Sequence, residues 1–212
     1  MNQDEEKYIL NHIDNQPTIL NELERYTNLN VIHPRMLSGH FQGSLLTMLC
    51  KMINPLSVLE IGTYTGYSTI CMAMGISQYA HIHTIEINDE LENVIIKYLN
   101  KASVQNKVTL HIGSAIDIIP EIDEMFDLVF IDGDKRQYTQ YLEQIFPKLK
   151  KGGYILADNI LWGGKPVKSN MPDDIYTKGI MDFNNMVKND VRLEKTILPL
   201  RDGLYLIRKI SE

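Results

Sequence analysis

Five short runs rich in β-branched residues, SVLEIG, HIHTIEIND, KVTLHIGSA, FDLVFIDG and GGYILADN, recur between residues 57 and 159. Each is bounded by glycine, asparagine or aspartate, and a stretch of helical spacing separates it from the next, including Glu90 to about Lys101, AIDIIPEI and Tyr138 to Leu149. Strands that alternate with helices at this pace predict a parallel, doubly wound α/β sheet with right-handed crossovers and helices on both faces. The alternation then stops. After a helix near Thr177 to Val187, RLEKTILPL and GLYLIRKI read as two strands joined around RDG, an Asp-Gly hairpin signal. The expectation is a mostly parallel seven-stranded sheet that ends in an antiparallel hairpin.

At 212 residues, 44% hydrophobic and 23% charged, the chain suits one globular domain. Residues 1–34 form a helical cap and 35–212 the core. The cap carries two helical patterns split by NQPT, with Thr18 as N-cap of the second. A net charge of −6 without a dense Lys/Arg run argues against nucleic acid as partner. Only Cys50 and Cys71 are present, both inside apolar helical patterns, so a disulfide framework is not expected. The acidic start MNQDEEKYIL is no signal peptide, and no apolar run approaches the roughly 20 residues that span a bilayer. These features point to a cytoplasmic protein with no membrane partner.

In open parallel sheets ligands bind beyond the carboxyl ends of the strands. The first strand delivers Glu60, Gly62, Gly66 and Ser68 to that end, in the stretch EIGTYTGYS. Gly62 and Gly66 suit a tight turn and close approach of a ligand to the backbone. Their G-x-x-x-G spacing is not the G-x-G-x-x-G of dinucleotide binders. Glu60, an acid just before the turn, suits a cationic ligand group better than a pyrophosphate. Glu86 ends the second strand, 24 residues after Gly62, where a carboxylate can accept from both ribose hydroxyls.

The fourth strand runs out into Asp132, Asp134 and Lys135, and the fifth into Asp158 and Asn159. Like charges in a partly buried crevice raise one another's pKa unless a cation neutralises them. Two aspartates and an asparagine suit a hard divalent ion such as Mg²⁺; the same residues also read as a solvated strand end. A calcium loop is rejected, because Arg136 and Gln137 stand where it needs an oxygen ligand and a glycine. His12, His81, His83 and His111 read as structural or surface residues, and His33 and His40 flank the segment before the first strand.

VLEIGTYTGYST followed by IHTIEIN resembles the cofactor signature of the cation-dependent, S-adenosylmethionine-dependent O-methyltransferases of the catechol and caffeoyl-CoA type. The match runs from about Arg35 to Trp162, and the closing hairpin extends it. The resemblance implies a Rossmann-like fold and a glycine turn, including Glu60, Gly62 and Tyr64, beside the methionine part of the cofactor. It further implies Glu86 on the ribose, Ser68 near the carboxylate, Met36 and Ser38 (in RMLSG) lining the cofactor, and Gly113, Ser114 and Ala115 near the adenine. By the same resemblance Asp132, Asp158 and Asn159 form a metal triad, with Asp132 also near the cofactor, and Lys135 is the general base. The segment reads DGDK, closer to the DADK of the caffeoyl-CoA branch, which leaves Asp134 either orienting the cofactor or solvated.

The implied reaction methylates one hydroxyl of a small vicinal dihydroxyaromatic, phenylpropanoid or flavonoid types included, with Mg²⁺, Mn²⁺ or Ca²⁺ as the ion and a homodimer as the assembly. Trp162 is a candidate wall of the acceptor pocket or packs under the loop that follows. That loop, residues 163–174 with Lys165 and Lys168, is placed to select substrate. A metal-independent methyltransferase, a nicotinamide oxidoreductase and a non-catalytic cofactor-binding protein are the competing readings.

Overall fold

The computed structural model describes residues 3–168 and 174–212. Of the loop expected to select substrate, residues 169–173 lie outside the described residues. The strands hydrogen-bond in the order β3-β2-β1-β4-β5-β7-β6. They are β1 (Ser57–Ile61), β2 (His81–Glu86), β3 (Val108–Ile112), β4 (Phe126–Ile131), β5 (Leu149–Ala157), β6 (Leu193–Leu198) and β7 (Leu204–Lys209). The closing pairs β5–β7 and β6–β7 are antiparallel, and β2–β3, β1–β4 and β4–β5 are parallel, as the sequence pattern predicts.

The chain falls into two compact units. Met1–Leu56 with Thr63–Gly113 form the first, and Ser57–Gly62 with Ser114–Glu212 the second. In the first unit α1 (Gln3–Leu10) and α2 (Thr18–Asn30) precede α3 (Gly39–Ile53), α4 (Tyr67–Gly75) and α5 (Glu92–Lys101). Leu23, Leu46, Ile70, Met72 and Ile95 are fully buried there, and both cysteines are buried and in no disulfide. Pro17, not Thr18, occupies the N-cap position of α2, and no side chain caps that helix. Thr18 is therefore its first helical residue. The expected cap fails because Pro17 holds the extended conformation (φ −54°, ψ 140°) one residue earlier. Glu22 of α2 reaches α5, accepting from the Tyr98 hydroxyl at 3.3 Å and pairing with Lys101.

The second unit carries α6 (Ala115–Glu121), α7 (Tyr138–Ile145) and α8 (Ile175–Asn189) around β1, β4, β5, β7 and β6. Leu128, Val129, Phe130 and Ile131 are fully buried, which is why they read as one continuous apolar run. The helix expected to reach Leu149 stops at Ile145. Pro147 cannot donate to an α-helical ladder, so Phe146–Lys148 forms a 3₁₀ turn and Leu149 opens β5. The hairpin is wider than a two-residue Asp-Gly turn. Leu198 pairs with Leu204, and the intervening loop closes with the Gly203 N–H donating to Leu200 O at 2.8 Å.

Candidate active site

In the second unit the parallel ladder continues one residue beyond each strand. The Asp132 N–H donates to Ile61 O at 2.8 Å, and the Asp158 N–H donates to Ile131 O at 2.9 Å. The backbone of both aspartates is thereby pinned to the neighbouring strand tip. Gly62 ends β1 with φ +98°, and a Cβ there would stand 2.4 Å from Asp132 O. The glycine read as a ligand-approach position is thus demanded first by the backbone of Asp132.

The side chains at this end form a tight charged group. Lys135 is only 8% exposed, and its Nζ donates to Asp132 Oδ1 at 2.6 Å. Asp158 is 3% exposed, and its Oδ1 accepts from the Asn159 N–H at 2.8 Å. Asn159 sits in the left-handed region (φ 62°), which asparagine tolerates better than most residues. Burial pushes the Asp132 carboxyl up to about 6, with Lys135 and Arg201 pulling it down and the charge of Asp158 pushing it further up. The two carboxylates therefore sense one another, and Lys135 supplies the positive charge that makes ionised Asp132 tolerable.

Asp134 takes no part in this group. It caps the turn over Lys135–Gln137 by accepting from the Arg136 N–H at 3.0 Å, and it binds the Arg136 guanidinium through Nε at 2.9 Å. That guanidinium holds its carboxyl below the usual range. The arginine also lies 5.3 Å from the centre of the Tyr176 ring, and Tyr176 stacks with Trp162 at 6.2 Å. Trp162, in the left-handed region at φ 42°, carries Lys165 over its ring at 5.6 Å, and Lys165 pairs with Asp174.

In the first unit the turn after β1 is organised by β2. The Thr63 N–H donates to Ile85 O at 3.2 Å, and the Thr63 and Thr84 hydroxyls share a 2.5 Å hydrogen bond. The Tyr64 N–H donates to Glu86 Oε2 at 2.6 Å, and the Asn88 N–H to Glu86 Oε1 at 2.9 Å. Burial raises the Glu86 carboxyl, while the N–H groups of Asn88, Tyr64 and Ile87 pull it back. Glu86 is therefore also the keystone of the glycine turn, a role that its position at a strand tip did not reveal. Gly113 adds a 2.8 Å bond to the Glu86 carbonyl.

The remaining expected cofactor residues are spread over both units. Ser68 is buried in the first turn of α4, Ser38 is buried at the start of α3, and Met36 is 58% exposed. The Tyr64 hydroxyl donates to Ile32 O at 3.1 Å, tethering the segment that leads to Met36. In the second unit Glu60 is fully buried in β1, and Ser114 and Ala115 open α6.

The chemistry of the donor set suits a hard cation: two carboxylates and one amide, with a buried aspartate whose ionisation is opposed by its neighbour. Among the described residues no group of three or more His, Cys, Asp or Glu side chains is gathered as a metal centre. The expected triad therefore counts two carboxylates and the Asn159 amide. Sequence reasoning missed Tyr138, whose ring lies 5.1 Å from Lys135 Nζ. The spacing of three residues across a turn was the available signal.

Among the described residues no helix is long and apolar enough to cross a membrane. The family model for O-methyltransferase matches residues 11–210. Caffeoyl-CoA O-methyltransferase 5 of Nicotiana tabacum is 32% identical over 209 residues, covering 92% of this chain and 86% of the relative. The solved O-methyltransferase of Bacillus cereus in complex with SAH is 25% identical with a TM-score of 0.87, covering 96% of each chain. TomG of Streptomyces achromogenes, at 24% identity and a TM-score of 0.90 over the full length of both chains, supports the fold alone. With a model matched over nearly its whole length, the chain belongs to the O-methyltransferase family and is a methyl-transferring enzyme.

Proposed function

We propose that the enzyme takes S-adenosylmethionine as methyl donor, requires a divalent cation, and methylates one hydroxyl of a vicinal dihydroxyaromatic. The observation that carries this reading is the buried Lys135–Asp132 pair at 2.6 Å, held beside Asp158 at the tips of β4 and β5. A solvated strand end would not bury a lysine to 8% exposure against a carboxylate.

Each residue then has a task. Glu86, presented by the turn whose N–H groups it accepts, receives the ribose hydroxyls of the donor, and added donors offset the burial that raises its pKa. The donor, when bound, supplies an electrophilic sulfonium methyl. Asp132, Asp158 and Asn159 would hold a divalent cation, whose charge would lower the pKa of a phenol that is otherwise about 10. Lys135, in its neutral form, would accept the phenolic proton at Nζ and end as the ammonium that faces Asp132. The phenolate oxygen forms the new bond to the methyl carbon as the carbon–sulfur bond breaks. Holding two reactants at attack distance supplies most of the rate, so rigid strand tips matter more than any covalent intermediate. Lys165, over the Trp162 ring, could attract an acceptor that carries an anionic group only by giving up its pair with Asp174.

Asp158→Ala tests the assignment. The expected result is loss of methyl transfer by at least about 100-fold, with S-adenosylmethionine binding by calorimetry unchanged. Loss of donor binding together with activity would mean that Asp158 belongs to the donor site instead.

A further inference from the structure

Lys135 owes its placement to more than its ion pair with Asp132. Tyr138, three residues on, opens α7 and is fully buried. Its ring faces the Lys135 ammonium at 5.1 Å. Its hydroxyl lies 3.1 Å from Asp158 O and 3.2 Å from Ile131 O, so one phenolic proton is shared between the carbonyls at the tips of β5 and β4. The ring is itself held edge-on by Phe183 of α8 at 5.3 Å and tilted against Tyr141 at 6.1 Å. A single side chain thus touches the base and both strand tips that carry the acidic group.

We propose that Tyr138 is a positioning residue for methyl transfer. Its ring lies 5.1 Å from the Lys135 ammonium and limits where it can go, and its hydroxyl fixes the backbone at Asp158 relative to the end of β4. Two physical points favour a role beyond packing. A leucine or phenylalanine would fill the same core position, yet the chain places a phenol there and aims its hydroxyl at the two carbonyls where the sheet ends. A lysine ammonium over an aromatic face keeps its direction more sharply than one held by a carboxylate alone, because the ring restricts the arc through which Nζ can swing. The inference rests on the reading of Lys135 as base and Asp158 as part of the acceptor site.

The test uses the full chain, with Tyr138→Phe to remove the hydroxyl and Tyr138→Leu to remove the ring as well. Turnover is measured with Mg²⁺ and the fastest diol of a catechol panel, alongside SAH affinity by calorimetry and the melting temperature. For Tyr138→Phe we expect kcat to fall about 10-fold with SAH affinity unchanged, and for Tyr138→Leu a further fall of about 10-fold. In a Lys135→Ala background the added loss between Phe and Leu should shrink to under about 2-fold, since the ring then has no base to orient. Wild-type kcat in both folded variants overturns the inference, as does an undiminished Phe-to-Leu loss in the Lys135→Ala background. Full activity of Lys135→Ala itself removes the base, and this inference falls with it. If no diol is methylated, the proposed function fails first and carries the inference down.

Discussion

Glu86 already serves the structure by organising the glycine turn, and the proposed donor site asks a second task of it. Its carboxylate accepts from Tyr64 at 2.6 Å and Asn88 at 2.9 Å, yet burial still leaves its pKa above the ordinary value. The native state therefore holds this proton more tightly than the unfolded chain does. As pH rises from the ordinary carboxylate range through the raised pKa, stability must fall and then level off. Thermal melts of the wild type and Glu86→Gln across pH 4 to 7 check the sign: the wild type should lose ground to the variant as pH rises. A wild type that gains on the variant would contradict the burial argument. Lys209 is the opposite case, a lysine with no exposure whose Nζ donates to Leu149 O at 2.9 Å, Phe146 O at 3.1 Å and Glu212 Oε2 at 2.8 Å. All three donors are matched, so Lys209→Met strands the buried Leu149 carbonyl and the half-buried Phe146 carbonyl and should cost about 3 kcal/mol. A urea midpoint that stays put would show that water reaches those carbonyls.

Elements meet the site through close backbone contacts, and α8 is the clearest. A Cβ on Gly179 would lie 2.4 Å from Lys135 O and 2.9 Å from the Arg136 Cα. Helix propensity alone predicts that Gly179→Ala gains about 1 kcal/mol. The clash is with backbone on both counts, and overpacking of that kind costs about 1–3 kcal/mol, so the net effect should be destabilising. Chemical denaturation decides, and a stabilised variant would mean that α8 can move away from the Lys135 turn at little cost. The strands and their order of types were legible because each apolar run has the length and β-branched content that a buried strand needs. Helix ends were less legible. Pro17 displaced the expected cap of α2, and Pro147 ended α7 four residues early. In both cases a proline's local constraint outweighed an apolar pattern that read through it. Asp134 stayed ambiguous because its partner, Arg136, was visible in the sequence but its direction was not.

At the scale of the whole molecule, chain order and chemistry agree. A family model covering residues 11–210 and a seven-stranded order of β3-β2-β1-β4-β5-β7-β6 place the chain among O-methyltransferases. The charged strand ends at Asp132, Asp134 and Lys135 and at Asp158 and Asn159 were visible in the sequence as apolar runs that stop in charge, while the roles expected of Lys135 and the triad came from the family resemblance. Tyr138 and the keystone role of Glu86 could not, because both depend on which backbone groups the fold turns toward them. We propose that this acidic end needs a cation to methylate a diol. Methyl transfer from S-adenosylmethionine to a panel of catechols, measured with added Mg²⁺ and again after EDTA, tests it directly. We predict transfer to at least one vicinal diol that EDTA abolishes and Mg²⁺ restores; transfer that continues undiminished in EDTA would contradict the account.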